Sequence, residues 1–86
     1  MIVNYSKNFI KQLKKSPKKI RAQLISRIEI FIQNPGHPSL HNHSLSGEYA
    51  GYRSINLNGD WRAIYMPMSE NEVLFITLGT HSQLYK

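Results

Sequence analysis

The chain contains no cysteine, and this single absence excludes several kinds of chemistry and stabilisation. Disulfide bonds, thiolate metal sites and a cysteine nucleophile are not available, so the fold must depend on packing alone. Long apolar runs are also absent, because no stretch approaches the ~20 apolar residues that a membrane-spanning helix needs. Residues 1–7 lack the apolar segment of a signal peptide. The sequence therefore predicts a soluble cytoplasmic protein that does not enter a membrane.

Acidic residues are scarce, with 5 Asp and Glu against 11 Lys and Arg, and the formal net charge is +6. This excess favours a polyanionic or acidic partner, either nucleic acid or an acidic protein. Most of the cations fall in the first third of the chain: Lys7, Lys11, Lys14, Lys15, Lys18, Lys19, Arg21 and Arg27. Any one of them is typical of a solvated helix face, but as a set they could steer the protein onto RNA phosphates.

The length and the hydrophobic content of 41% are those of one globular domain, which we assign to residues 1–86. Residues 1–5 favour a strand, and Ser6 can cap a first helix. Ser16-Pro17 predicts a second helix, with serine as the N-cap and proline at the first helical position. Asn34-Pro35-Gly36 ends this helix, because proline disfavours helical geometry in the residue before it. The two helices form a hairpin that must cover an apolar surface.

Three further strands follow in the second half of the chain, at about residues 52–57, 60–66 and 72–78. Asn58-Gly59 is a strong hairpin signal, since both residues tolerate positive φ. A two-residue turn there sets Ile55 opposite Arg62, so that Arg62 shares a face with Arg53. The order β-α-α-β-β-β predicts an α+β fold, with a two-helix hairpin packed on one face of a mainly antiparallel twisted sheet. The other face is predicted to be open and to serve as a docking surface.

Three of the four histidines lie close together, at positions 37, 41 and 43, and the fourth is His81 in the C-terminal tail. His41 and His43, together with His81, could suggest a zinc site. Catalytic zinc ligands more often include a carboxylate or a helical i, i+4 pair, so we expect neither a metal nor a cofactor. His37 and His41 are predicted to be exposed loop residues. His43 lies where the chain enters the sheet, as either a structural or a functional histidine.

The triplet Asp60-Trp61-Arg62 opens the strand after the turn and has two interpretations. In the structural one, Asp60 accepts hydrogen bonds from turn amides and Trp61 fills the core. In the functional one, Arg62 and Arg53 form a phosphate clamp on one face, near Asp60. Adjacent strand residues face opposite sides, so Trp61 and Arg62 can reach the same ligand only if a bulge intervenes.

These residues suit the cleavage of RNA without a metal. That reaction requires a base for the 2′-hydroxyl proton, an acid for the leaving 5′-oxygen, and cations for the pentacovalent state. An imidazole can serve in either proton role because it titrates near neutral pH. His43 and His81 could therefore divide the two roles, with the arginines stabilising charge. Tyr85 could stack on a base or donate a hydrogen bond.

Several segments resemble, in their order and spacing, the RelE/ParE superfamily of toxins and within it the YafQ branch. They are Leu45-Ser46-Gly47, Gly51-Tyr52-Arg53, Gly59-Asp60-Trp61-Arg62-Ala63-Ile64-Tyr65 and Leu78-Gly79-Thr80-His81-Ser82-Gln83-Leu84-Tyr85. The resemblance implies the toxin of a type II toxin–antitoxin system, a metal-independent and ribosome-dependent mRNA endonuclease that inhibits translation. It also implies the partners, which are an acidic antitoxin in a hetero-oligomer, mRNA in the ribosomal A site, and ribosomal RNA.

The resemblance also implies roles for individual residues. His81 is expected to be the general acid and His43 the base or an orienting group. The full catalytic set is His81, His43, Asp60, Arg62 and Tyr85, and the RNA-binding set is Arg53, Asn56 and Trp61. Asn56 stands where the branch carries a further histidine, and an asparagine can position a group but cannot shuttle a proton.

Two other functions remain open at this point. ParE-like relatives share the fold but inhibit DNA gyrase by binding, and a toxin-like remnant would only bind its antitoxin. His81 and Tyr85 in the tail favour the nuclease, because a pure inhibitor does not need them.

Overall fold

The computed structural model describes residues 1–85, and Lys86, the last residue of the predicted domain, lies outside them. The strands and α-helices are β1 (Ile2–Tyr5), α1 (Lys7–Lys14), α2 (Lys18–Gln33), β2 (His43–Ser44), β3 (Arg53–Asn56), β4 (Trp61–Ser69), β5 (Glu72–Thr80) and α3 (His81–Leu84). Short 3₁₀ turns at Pro38–Leu40 and Gly47–Tyr49 precede and follow β2. Within residues 1–85, no helix is long and apolar enough to cross a bilayer.

The strands form one sheet in the order β1-β5-β4-β3-β2. β1 runs parallel to β5, and the other neighbouring pairs are antiparallel. The predicted α+β architecture is therefore confirmed, with a helical hairpin on one face of a mainly antiparallel sheet. The short strand β2 and the C-terminal helix α3 are additions that the sequence did not predict.

The helical hairpin covers the sheet with one apolar residue per turn of α2. These residues are Ile20, Leu24, Ile28 and Phe31, and all are buried. Phe31 packs edge-on against Tyr65 and Phe75 of the sheet, with ring centroids 5.0 and 5.6 Å apart. This spacing of three to four residues places the whole stripe on one side of the helix.

The turn between the two helices differs by one residue from the prediction. α2 has Pro17 as its N-cap, not Ser16. Ser16 is buried, and its hydroxyl donates to the carbonyl of Gln12 at the end of α1, with an oxygen–oxygen distance of 2.8 Å. The serine thus closes the first helix, and so does not cap the second.

Between β3 and β4, three residues lie beyond the last hydrogen-bonded pair, Leu57 and Trp61, so the predicted two-residue turn is wrong. Leu57 N–H donates to the Trp61 carbonyl at 2.9 Å, which leaves residues 58–60 in the loop. The side-chain oxygen of Asn58 accepts from the backbone N–H groups of Asp60 and Trp61, both at 2.8 Å. Positive φ occurs in the described chain at His41, Gly47 and Gly51, and not at Asn58 or Gly59. Asn58 therefore acts through its side chain, as an Asx turn, and not through a left-handed backbone.

The additional loop residue places Arg53 and Arg62 on opposite faces of the sheet. Asn56 pairs with Arg62, and Arg53 pairs with Tyr65. Because side chains alternate along a strand, a shift of one residue moves a side chain to the other face. Arg53 and Tyr65 face the helices, whereas Arg62 and Asn56 face away from them. The prediction that Arg53 and Arg62 share a face is wrong.

The face turned away from the helices is also less open than predicted. Ser54 and Ile64 pair with each other on this face, and both are 0% exposed. The bare docking face expected from the sequence is therefore wrong at the centre of β3 and β4. Accessible functional groups gather instead at the end of the sheet where β4 begins and β5 ends.

Candidate active site

A hollow of about 460 Å³ opens at this end of the sheet, on the face away from the helical hairpin. Its lining residues are His41, His43, Ser44, Leu45, Ser46, Arg62, His81 and Tyr85, and we call it the histidine hollow. Its size falls in the range of ~300–1,000 Å³ that is usual for small-ligand sites. It brings together four of the predicted catalytic residues, one each from β2, β4, α3 and the tail.

His81 is held by its backbone while its ring stays exposed. It is the first residue of α3, whose N-cap Thr80 forms a capping box with Gln83. The His81 N–H donates to the Asp60 carbonyl at 2.9 Å, which ties α3 to the β3–β4 turn. Gly79 allows this close packing, because a Cβ there would lie 2.9 Å from the Gln83 side-chain oxygen. Gly79 and Thr80 thus fix the position of the His81 backbone, and with it the point from which the imidazole extends.

His43 has a defined tautomer because of its neighbour. Its Nδ1 lies 2.8 Å from the carbonyl oxygen of His41. A carbonyl can only accept, so Nδ1 carries the proton and Nε2 of the neutral ring is free to take one. The carbonyl is presented by a left-handed backbone at His41, with φ of 47°.

His41 is a lining residue that sequence reasoning missed. It was predicted to be an exposed loop residue, and it is exposed, but its ring lies 5.4 Å from that of His43 and borders the hollow. The His-Asn-His spacing did not reveal this grouping, because the backbone at His41 is left-handed and not extended. Across residues 1–85, no group of three or more His, Cys, Asp or Glu side chains is arranged to hold a metal ion.

Arg62 is fixed by the turn that precedes it. Its Nη1 donates to the carbonyls of Asn58 and Trp61 at 3.0 and 3.2 Å, and its Nη2 donates to the Gly59 carbonyl at 3.2 Å. These acceptors are neutral, so they orient the guanidinium without cancelling its charge. Two of its five N–H donors, on Nε and Nη2, stay available for an anion. Asn58, which the sequence analysis named only as a turn residue, organises both the turn and Arg62.

Tyr85 brings an unsatisfied hydroxyl to the same place. Its ring centroid lies 4.8 Å from that of His81, and its phenolic oxygen is buried without a hydrogen-bond partner in the described chain. The Asn56 side-chain oxygen and the Ser54 hydroxyl are likewise buried and unpartnered. Leaving a buried polar group unsatisfied costs about 1–3 kcal/mol, and such groups in native structures often mark a functional site.

The other predicted residues lie outside the histidine hollow. Arg53 donates from Nε to the Asn42 side-chain oxygen at 2.9 Å, on the helix side of the sheet. Trp61 packs against the core there, and no bulge turns it toward Arg62. Asp60 is exposed and touches the site through its backbone carbonyl. Asn56 pairs with Arg62 but does not line the hollow.

The arrangement of the strands and helices is that of the RelE/ParE-like toxins. The YoeB/ParE toxin from Agrobacterium tumefaciens matches it with a TM-score of 0.76, over 94% of this chain and 99% of that one. Sequence identity is 16%, so this likeness concerns the fold alone.

The particular family follows from the sequence. The family described as "Bacterial toxin of type II toxin-antitoxin system, YafQ" matches residues 1–86. A protein of Haemophilus influenzae named as a YafQ toxin is 33% identical over 90 residues, covering 94% of this chain and 88% of the relative. YafQ from E. coli strain BL21(DE3) matches with a TM-score of 0.82 and 26% identity, over 98% and 97% of the two chains. The chain belongs to the YafQ family of type II toxins, which confirms the resemblance.

Proposed function

We propose that this toxin is an endoribonuclease that cuts mRNA in the ribosomal A site and thereby stops translation. The observation that carries the proposal is the convergence of His43, Arg62, His81 and Tyr85 on one hollow. These residues offer the base, the acid and the cation that cleavage of RNA by its own 2′-hydroxyl requires. Membership in a family of toxins supports an activity that harms the cell.

The reaction begins at His43. Its Nε2, left bare by the Nδ1 hydrogen bond to His41, takes the proton of a 2′-hydroxyl. The 2′-oxygen then forms a bond to the adjacent phosphorus and gives a pentacovalent state. The free N–H groups of Arg62 stabilise the charge that builds up on the phosphoryl oxygens.

His81 completes the reaction as the general acid. It gives a proton to the 5′-oxygen as the bond from phosphorus to that oxygen breaks, which leaves a 2′,3′-cyclic phosphate and a 5′-hydroxyl. The Asp60 carbonyl positions His81 through its backbone N–H. A small shift of the Tyr85 side chain on RNA binding exposes its buried, unpartnered hydroxyl, which then donates to a phosphoryl oxygen, and its ring stays against the imidazole of His81.

The partners follow from charge and from the family. A net charge of +6 suits an approach to ribosomal RNA and mRNA in the cytoplasm. The same surface suits an acidic antitoxin, because the family belongs to toxin–antitoxin systems. We expect the antitoxin to bind the toxin in a hetero-oligomer and to block its access to RNA.

Mapping of mRNA 5′ ends tests the proposal. Within minutes of induction in a bacterial host, we expect new ends that fall at a fixed position within codons, as cleavage in the A site requires. Cells expressing His81→Ala should lack them. DNA damage with intact mRNA would contradict the proposal and indicate a gyrase inhibitor instead.

Tyr85→Phe should separate the function of the hydroxyl from that of the ring. We expect cleavage to slow by about tenfold, because one hydrogen bond to the phosphate is lost. The free energy of unfolding should stay the same or rise by about 1 kcal/mol, since an unsatisfied buried hydroxyl is removed. Cleavage rates and urea denaturation measure the two effects, with Tyr52→Phe as a hydroxyl control outside the hollow. Unchanged cleavage in Tyr85→Phe would remove the hydroxyl from the mechanism.

A further inference from the structure

A second hollow, of about 370 Å³, lies around the end of the sheet from the histidine hollow, on the helix side. Its walls include Lys15 at the end of α1, Trp61 at the start of β4, Tyr49, and Gln83 and Leu84 of α3. It contains the tryptophan that the family resemblance singled out and that the histidine hollow does not contain. A ligand that contacts Trp61 would therefore lie in this second hollow.

A smaller hollow of about 250 Å³ joins the first two. It shares Ser46 and Tyr85 with the histidine hollow, and it shares Tyr49 and Leu84 with the second one. The three hollows therefore adjoin around the end of the sheet, and Tyr49, Leu84 and Tyr85 line the boundaries between them. We call the smaller one the connecting hollow, and we call the connecting and second hollows together, from Tyr85 through Tyr49 to Trp61 and Lys15, the end groove.

Aromatic rings follow the beginning of this path. The centroid of the Tyr85 ring lies 4.8 Å from that of His81 and 6.0 Å from that of Tyr49. The ring centroids of Tyr49 and Tyr52 are 6.2 Å apart. Tyr49, Tyr85 and Trp61 are all partly exposed. Rows of partly exposed rings are the usual platforms for bases of single-stranded nucleic acid, and they accept any base because every base has a π-face.

Some polar groups of the end groove are already hydrogen-bonded within the protein, and others are available to a ligand. The Gln12 side-chain oxygen accepts from the Leu78 N–H at 2.7 Å, and the Gln83 side-chain oxygen accepts from the Thr80 N–H at 2.8 Å. The walls are thus fixed in place before anything binds. The exposed ammonium of Lys15 remains as the cation of this groove.

Glu48 lies on the rim of the connecting hollow and limits where a phosphate can pass. Burial raises the pKa of the Tyr49 phenol, and the charges of Glu48 and Tyr85 raise it further. Tyr49 therefore stays neutral at physiological pH and can donate a hydrogen bond. A phosphate is drawn to the Lys15 end, away from this carboxylate.

We infer that the end groove binds the nucleotides next to the cleaved bond, with bases against Tyr49 and Trp61 and a phosphate near Lys15. This inference rests on the proposed cleavage of RNA in the histidine hollow. The position of the end groove next to that hollow and its partly exposed aromatic rings favour a single-stranded RNA as the occupant over an acidic peptide. The groove would then set how the substrate extends beyond the scissile linkage.

The test measures cleavage of mRNA on programmed ribosomes and binding of the same mRNA with a 2′-deoxy nucleotide at the cut. We expect Tyr49→Ala to raise KM and Kd by about tenfold, as the loss of one stacked base does, while kcat stays within about twofold. Tyr49→Phe should bind like the parent, because it keeps the ring. Thermal melting of both variants checks that Tyr49→Ala stays folded.

A lysine pair supplies the matched control. Lys15 lies in the end groove, and Lys14 beside it lines none of the hollows described above. Each alanine variant removes one charge from the long-range field, so the difference between them reports the groove alone. Lys15→Ala should weaken RNA binding by several-fold more than Lys14→Ala. It should also reduce the slope of log affinity against log salt concentration by about one.

Each outcome decides between the inference and its alternatives. Parent-like RNA binding in both Tyr49→Ala and Lys15→Ala would overturn the inference, even if His81→Ala confirms cleavage. Weakened binding of the antitoxin with unchanged binding of RNA would assign the groove to the protein partner. If the parent does not cleave RNA but Tyr49→Ala still weakens its binding, the proposed reaction fails and the groove stands.

Discussion

His81→Ala should lower the rate of mRNA cleavage by about 10²–10⁴-fold, the usual contribution of a positioned general acid. Without the imidazole, the leaving 5′-oxygen must take its proton from water. The ring is exposed and its backbone is held by the Asp60 carbonyl and the Thr80 cap, so the fold should not change. Cleavage on programmed ribosomes and growth of cells expressing the variant measure the effect.

His37→Ala is the matched control for this experiment. It also removes one imidazole, but His37 lies in an exposed loop outside the hollow, where its Nδ1 accepts from the Ser39 N–H at 3.1 Å. We expect His37→Ala to cleave RNA at the rate of the parent. His81→Ala should bind the antitoxin with the same affinity as the parent. Full toxicity of His81→Ala would reject the assigned role.

The pH dependence of the same rates separates the two histidines. A general acid must be protonated, so His81→Ala should abolish the fall in rate toward high pH. A general base must be neutral, so His43→Ala should abolish the fall toward low pH. The opposite pattern would exchange their roles.

Arg62→Ala is expected to give the second large loss, about 10²–10³-fold in kcat, because it removes charge from the transition state. Arg62→Lys should recover only part of the rate, since an ammonium lacks the planar fork that matches a phosphate. Folding should be little affected, because the Asn58 side chain holds the turn independently. A kcat of Arg62→Ala close to that of the parent would show that the phosphate is stabilised elsewhere.

Arg53→Ala is the contrasting variant, because the structure places this arginine on the other face. Its loss should lower the free energy of unfolding by about 1–2 kcal/mol, since it breaks a charge-assisted hydrogen bond to Asn42. Cleavage should stay near the parent rate at temperatures where the variant is folded. Urea denaturation and cleavage assays on the two arginine variants should thus give opposite patterns.

The helices and strands were predictable because their signals are local and repeated. Ile20, Leu24 and Ile28 recur once per helical turn, and the Ser6 cap and the proline at position 35 mark ends that depend on immediate neighbours. Such signals add up over a whole element, so an error of one residue at an end, as at Pro17, does not change the fold.

The facing of the two arginines was not predictable by the same means. It depended on whether the loop held two residues or three, and Asn58-Gly59 is compatible with both. The outcome turned on the Asn58 side chain, which accepts two backbone N–H groups and so stabilises the longer loop. Because strand side chains alternate, this one local choice decided the face of every residue in β4 relative to β3.

The grouping of residues in the histidine hollow was predicted in part, and what was not predicted has one cause. His43, Arg62, His81 and Tyr85 meet as expected, but they do so through contacts between distant segments, such as His81 with Asp60. His41 joins them because its backbone adopts a left-handed conformation that no pattern of residue types required. Groupings of this kind depend on tertiary structure, which spacing along the chain does not encode.

The position of β5 has a consequence for the order in which the fold assembles. β5 lies between β1 and β4, and it leads directly into α3 and His81. In the sheet, β1 pairs with β5 and with no other strand of residues 1–85. Contacts between such distant segments form late, because a long loop must close before they can be made. The completed sheet and the histidine hollow should therefore form in the same late step, so that a partly folded chain lacks both.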